Sequence, residues 1–261
     1  MPAVLGRITV YPIKSLDGLD VSEARVLENG ALEHDRQFAL VDADGRFVNG
    51  KRTAAVHTIR TEYDLTRMTV RFNTEVEFSL VHQQREIGQW LSSALDIACS
   101  LAENTTGGFP DDTDSPGPTL ISTATLAEIA AWFPGLTLEE TRRRFRANLE
   151  IDGVEAFWED RLVGSAGSEV PYHIADVRWL GVNPCQRCVV PTRATTSGET
   201  TAGFQKAFAV ERERWLPAWA PRDRFNHFYR LAVNTRLALD QSPGRIRVGD
   251  PISEVQHETV S

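Results

Sequence analysis

The chain has 261 residues, 41% hydrophobic and 25% charged, with a formal net charge of −8. That composition belongs to a globular protein with enough apolar residues for a core, and its acidic balance disfavours nucleic acid, whose phosphates demand a broad basic surface. No stretch approaches the ~18 apolar residues of a membrane span, and MPAVLGRITVYPIKS lacks the basic-then-apolar pattern of a cleaved signal, so a soluble cytoplasmic protein is expected.

The first hundred residues read mostly as strand. Gln37 to Asp42 and Arg46 to Asn49 flank Ala43-Asp44-Gly45, which predicts a tight hairpin. Thr69 to Phe72 and Glu77 to Val81 predict a second short antiparallel pair. Near residue 87 the period changes, and Ile87, Trp90, Leu91 and Ala94 follow helical spacing. Residues 103–118, ENTTGGFPDDTDSPGP, carry the composition of a linker or long loop. Thr125 and Glu128 offer a capping box for a helix with Leu126, Ile129, Ala130 and Phe133 on one face, stopped by Pro134-Gly135. Another helix is predicted from about Gly203 to Trp215, judged from Phe204, Ala207 and Phe208. In the closing RIRVGDPI, Ile246 and Val248 alternate with Arg245 and Arg247 as in a strand. Many short strands with a few helices predict an α+β, mostly β fold: a β-barrel core with helical decoration.

Three segments can carry chemistry. The run Arg142-Arg143-Arg144-Phe145-Arg146, read as a strand continuing to Ile151, sorts by parity. Arg142, Arg144, Arg146 and Asn148 fall on one face; Phe145, Ala147, Leu149 and Ile151 fall on the other. The polar row is either a solvated surface or an anion cradle, since guanidinium forks suit phosphate and other oxyanions. Lys14-Ser15 leaves a predicted strand near Gly18, and Arg36 precedes another, so each is either a surface turn or part of a phosphate site.

The third segment is the Cys185-Gln186-Arg187-Cys188 motif. A thioredoxin-like dithiol wants its first cysteine at a helix N-terminus, whereas Val177 to Val182 and Val189-Val190-Pro191 read as strand on both sides. A structural zinc site needs two more ligands. Only Cys99 and the unpaired His34, His57, His82, His173, His227 and His257 are left to supply them. A single thiolate on a soft or cofactor-held metal remains, with Arg187 placed to favour ionisation of Cys188 and to meet an anionic cofactor. Two buried thiols packed as small hydrophobes are the alternative. The sequence has no G-x-S-x-G, no G-x-x-x-x-G-K-[ST] and no H-E-x-x-H.

Taken together, PIKSLDG, HDRQFALVDADGRFV, PTLISTATL, RFRANLEIDG with FWED, NPCQRCVVPTR and RIRVGDPI resemble, in this order, the MOSC family. The nearest group in that family has an N-terminal β-barrel extension and includes the mitochondrial amidoxime-reducing component and its bacterial relatives. The resemblance covers nearly the whole chain. It implies an N-terminal MOSC-associated β-barrel domain over 1–105 and a MOSC β-barrel domain over 106–261 that binds the molybdenum cofactor, a molybdopterin. By position it makes Cys188, not Cys185, the molybdenum ligand and the catalytic cysteine. It also gives Lys14, Ser15, Arg36, Arg146 and Asn148 to the pterin and its phosphate, with Arg144 and Arg187 beside them. Asp114 and Ser115 match the family's Thr/Ser pair imperfectly. Where the family has a D-P-x-T-G turn, this chain has Ala194-Thr195-Thr196-Ser197-Gly198, which bears on substrate access.

The implied activity is a molybdenum-dependent oxidoreductase that reduces N-hydroxylated compounds such as amidoximes, hydroxylamines or N-hydroxylated bases. The other reading is a carrier of cofactor or sulfur without reductase activity. After Cys188 the chain has no cysteine, so an iron–sulfur cluster there is not expected. Electrons would come from a separate ferredoxin, flavoprotein reductase or haem protein, with no nucleic acid or membrane partner.

Overall fold

The computed structural model describes residues 2–254. In chain order it comprises β1 (Val4–Val10), β2 (Leu19–Val21), β3 (Glu23–Arg25), β4 (Phe38–Asp42), β5 (Thr61–Asp64), β6 (Thr69–Phe72), β7 (Val76–Ser79), α1 (Gln84–Leu95) and β8 (Cys99–Glu103). There follow β9 (Leu120–Ser122), α2 (Thr123–Trp132), α3 (Leu138–Phe145), β10 (Leu149–Asp152), β11 (Val170–Ile174), β12 (Val177–Gln186), α4 (Phe204–Arg214), β13 (Arg230–Leu237), β14 (Arg245–Arg247) and β15 (Ile252–Glu254). The fold is α+β and mostly β, as the element pattern predicts.

Eight strands form one sheet in the order β15-β11-β12-β13-β9-β10-β1-β2. Only β9 and β10 run parallel. The sheet curls until β1 meets the chain before β15, through a Val4–Pro251 bridge and bonds from Leu5 N to Asp250 O (2.8 Å) and Ile252 N to Ala3 O (3.0 Å). Closure satisfies backbone groups that an open edge would leave unpaired. Its interior holds Leu5, Ile8, Leu149, Ile151, Trp179 and Val233, all fully buried. Leu5 and Ile8 both face inward despite odd spacing because β1 bulges between Leu5 and Arg7.

A smaller core gathers β4 and β8, the β5-β6-β7 meander and α1 around Phe38, Phe72, Ile87 and Leu91. Trp90 stacks on Phe72 at 4.7 Å, so the apolar stripe of α1 is what holds the meander. The parts interleave in sequence: β1 pairs with β10 and β3 with β14, so the first 25 residues lie on strands of the C-terminal half.

Several local expectations are corrected. The arginine run is helix α3, with Arg146 at its left-handed C-cap, and strand begins only at Leu149. Thr137 caps the helix by accepting from Glu140 N, and Glu139–Arg143 and Glu140–Arg144 pair at i,i+4. These local helix-forming contacts outweigh the parity pattern, and Thr141 and Phe145 form the buried face. Helix α2 is capped by Ser122, whose Oγ accepts from Thr125 N at 3.0 Å; Thr125 instead bonds Glu159. The turn after β4 returns through a single Val41–Phe47 bridge, so Arg46 to Asn49 is not a strand. In RIRVGDPI the strand stops at Arg247; Val248 is exposed and Gly249 turns at φ 96°. After Cys188 the chain makes a short 3-10 turn at Val190–Thr192 rather than a strand.

Candidate functional site

A cleft of about 700 Å³ opens where the ends of both parts meet. Lys14, Ser15 and Arg36 reach it from the N-terminal segment, the chain from 107 to 119 crosses it, and Arg144, Arg146 and Asn148 enter from the end of α3. The end of β12 contributes Cys185, Arg187 and Cys188, and Arg224, Arg230 and Asn234 complete the wall. Eight lysine or arginine side chains line it against three aspartates, Asp35, Asp111 and Asp112. An acidic protein therefore carries a concentrated positive pocket, the electrostatic form of a site for a small anion.

The backbone is strained where the first segments enter. Ser15, Arg36 and Arg146 all take left-handed φ, at 74°, 50° and 53°. Without glycine, such conformations persist only when their surroundings enforce them. At Arg36 the enforcement is visible: its N donates to Tyr11 O at 2.8 Å, its guanidinium pairs with Asp35, and Asp35 accepts from Tyr11 N at 2.9 Å.

Lys14 is buried, its Nζ 2.8 Å from Asp111 Oδ1 and donating to Phe109 O at 2.7 Å. Burial lowers its pKa, and Asp111 offsets part of that. Burial alone would raise the Asp111 carboxyl; Lys14, Arg36 and Lys51 outweigh it and hold the group well below the usual carboxylate range. Asn148 is a hub: its Oδ1 accepts from Thr119 N (3.2 Å) and Arg36 Nη1 (3.4 Å), while Nδ2 donates to Thr9 O (3.1 Å). Its amide orients Arg36 and ties β1 to β10's approach. Arg144 is structural in its contacts: Nε donates to Glu140 at 2.8 Å and Nη1 to Thr201 Oγ1 at 3.2 Å, pinning α3 to the 190–201 loop. Arg146 differs. Among the described residues it has no carboxylate partner, and its guanidinium lies 4.0 Å from the centre of the Tyr11 ring.

Cys188 lines the cleft, half-buried and without a disulfide. Arg187 turns toward the other cysteine: Nη1 donates to Cys185 Sγ at 3.2 Å and Nη2 to Phe145 O, while its buried Nε has no partner. Arg187, expected beside Cys188 to favour its ionisation, makes its sulfur contact with Cys185. Ser115 is buried on the cleft wall. Asp114 is exposed and outside the lining; Asp112 faces the cleft in its place, its Oδ1 accepting from the N–H groups of Asp114 (3.0 Å) and Ser115 (3.1 Å). Cys99 lies away from the cleft on β8, beside Ser92. Among the described residues no three His, Cys, Asp or Glu side chains gather as a metal cage. Among the described residues the C-x-x-C thus lacks the further ligands a structural zinc needs.

Asp111, His57, Arg224 and Arg230 belong to the site but went unseen in the sequence. Asp111 lies in the expected linker or long loop and the others in no motif, so only the tertiary fold brings them in.

Two family descriptions match: the MOSC N-terminal beta barrel domain over residues 2–96 and the MOSC domain over residues 119–253. Molybdenum cofactor sulfurases of Drosophila yakuba and Drosophila erecta are each 22% identical over 217 residues, 70% of this chain and 26% of theirs. The chain thus spans about a quarter of the length of these curated relatives. Among solved structures, the YUAD protein from Bacillus subtilis aligns over 98% of both chains at 12% identity with a TM-score of 0.40.

Proposed function

Because this chain belongs to the MOSC family, we propose that its cleft holds the molybdenum cofactor, with the Cys188 thiolate as metal ligand, and reduces N-hydroxylated compounds. The observation that carries this reading is the convergence of Cys188 with Lys14, Ser15, Arg36 and Arg146 in one basic cleft. The donor set fits a pterin bearing a phosphate. Among the described residues Arg146 forms no ion pair and the buried Nε of Arg187 lacks an acceptor, while Lys14 is held by a charge an anion could replace. Arginine forks and a buried ammonium are the groups that recognise phosphate.

When bound, the cofactor supplies the metal that accepts oxygen and the electron pair that breaks the N–O bond. The chain holds the phosphate at Lys14, Ser15 and Arg36, fixes the pterin beside Arg146 and presents the Cys188 sulfur. Asn148 keeps Arg36 in place. The balance is one N–OH group, two electrons and two protons giving N–H and water. The electrons come from a separate ferredoxin, flavoprotein reductase or haem protein.

The names of the matched relatives favour a second reading, in which the chain carries or transfers the cofactor or its sulfur without reducing anything. One experiment separates the two. Wild type and Cys188→Ala are produced in a host that makes the cofactor, analysed for molybdenum, then assayed for benzamidoxime reduction with a chemical electron donor. Near-stoichiometric molybdenum and turnover in the wild type, both lost in the variant, support the reductase. Molybdenum without turnover favours the carrier, and molybdenum retained by Cys188→Ala refutes the ligand assignment.

A further inference from the structure

The positive charges of the cleft fall into two classes. Lys14 and Lys51 share Asp111, Arg36 has Asp35, and Arg144 has Glu140. Arg146, Arg187, Arg224 and Arg230 have no carboxylate partner among the described residues, though all four line the cleft. The first two belong to the set assigned above to the cofactor. Arg224 and Arg230 are left over.

Both lie along the end of β12. Arg224 Nη2 donates to Val182 O at 3.0 Å, while its Nη1 donates to Gly164 O at 2.7 Å and Ser165 O at 2.9 Å. Arg230 Nη1 donates to Pro184 O at 2.9 Å, and its Nη2 to Asn226 Oδ1 at 3.0 Å. The β12–β13 register sets Arg230 opposite Gln186, bracketing Cys185, whose Sγ already accepts from Arg187. Each guanidinium is therefore held by neutral oxygens, which fix its position without cancelling its charge. Tying loops together explains the carbonyl bonds. It does not explain two like charges kept on one cleft wall with no counter-ion, which costs stability through desolvation and repulsion. Charges fixed in this way are preorganised for an oxyanion.

We propose that Arg224 and Arg230 form a second oxyanion subsite, on the Cys185 side of the cleft, that receives a carboxylate or phosphate carried by the substrate. The inference rests on the reductase reading and narrows it to N-hydroxylated compounds bearing an anionic group.

The test uses the cofactor-loaded chain and two probes, benzamidoxime and 4-carboxybenzamidoxime. Each is followed by calorimetric titration and by turnover with a chemical donor. In the wild type the carboxylated probe binds at least about tenfold more tightly, the effect of one or two charge-assisted hydrogen bonds. Arg224→Gln and Arg230→Gln each reduce that preference and together bring it near unity, with molybdenum and pterin content unchanged. Arg230→Lys, which keeps the charge, retains part of it. Equal affinity for the two probes in the wild type overturns the proposal. So does loss of pterin from the double variant, which would place the arginines under the cofactor's own phosphate. If neither probe is reduced but the carboxylated one still binds selectively through these arginines, the reductase reading fails and the subsite stands.

Discussion

At Arg146 the requirements of folding and of ligand binding oppose each other, and replacing it separates them. Its backbone is left-handed at φ 53° on the C-cap of α3, a conformation that disfavours any residue with a Cβ by about 1 kcal/mol. Among the described residues its guanidinium forms no ion pair; burial lowers its pKa, Tyr11 and the more distant Asp17 compensate in part, and the Arg36 charge adds to the penalty. Its contact with the Tyr11 ring, at 4.0 Å, contributes about 0.5–2 kcal/mol. Arg146→Gly removes the strain and the unpaired charge together while giving up that contact. The cofactor-free chain is therefore expected to gain about 1 kcal/mol, or roughly 2–4 °C in Tm for a chain of this length. On the proposed reading the same change removes a charge-assisted hydrogen bond to the cofactor, worth about 1.5–3 kcal/mol, and cofactor affinity is expected to fall roughly 10–150-fold. Arg146→Gln keeps the strain and gains less in Tm than the glycine variant. The assay pairs thermal denaturation of protein from a host unable to make the cofactor with pterin content of protein from a competent host. A lower Tm with unchanged pterin content would refute the reasoning and make Arg146 a structural anchor.

Away from the cleft, Asp160 and Arg212 form a buried pair at 2.5 Å, with Arg212 between the Phe157 and Phe225 rings. Asp160→Ala strands that charge and is expected to lose about 3–5 kcal/mol by urea denaturation. Adding Arg212→Met recovers part of the loss, and a double variant no better than the single would contradict this account. Next to it, burial and the Asp160 charge push Glu159 up to about 7 from 4.5, and its Oε1 has no partner among the described residues. A carboxyl raised in the folded state stabilises fully below its unfolded pKa and loses that contribution as pH climbs through the folded one. Tm should therefore fall between about pH 4.5 and 7 in the wild type, and Glu159→Gln should flatten that slope. In the cleft, Asp111→Asn frees Lys14, and the cofactor-free variant is expected to bind inorganic phosphate roughly tenfold more tightly by calorimetry. Weaker binding would show that Asp111 supports the site rather than competing with its ligand.

The sequence carried the fold class and the cleft's first residues because both rest on local signals. Strand alternation, the period change at Ile87 and six ordered motifs are short-range patterns that survive into the structure. Lys14, Ser15, Arg36, Arg146 and Asn148 line one cleft. Helix α3 reads as strand in the sequence because Arg142, Arg144 and Arg146 sit at even spacing and its C-cap is arginine rather than glycine, which hides the helix end. Asp114 was chosen from a loop without periodicity, where Asp112 faces the cleft and caps the turn instead. Arg224 and Arg230 had no local signal, since their convergence depends on the Val182 carbonyl and on the β12–β13 register. Barrel closure between Val4 and Pro251 is equally invisible, being a contact across nearly the whole chain.

Strain and charge at the cleft have one explanation in common. Three residues that motif order assigned to a cofactor, Ser15, Arg36 and Arg146, come from three separate segments and all adopt left-handed backbone. The same wall concentrates eight basic side chains in a chain whose net charge is −8. Each feature lowers the stability of the ligand-free fold, and neither is needed to close the barrel, whose core lies elsewhere. Features that destabilise the empty state are retained when a ligand that binds only the folded state compensates for them. By linkage, an anion bound there raises stability by RT ln(1 + [L]/Kd), about 2.7 kcal/mol at a hundredfold excess over Kd. Occupancy and stability thus become one quantity, and the gap in Tm between cofactor-loaded and cofactor-free chain measures how tightly the cleft holds its anion.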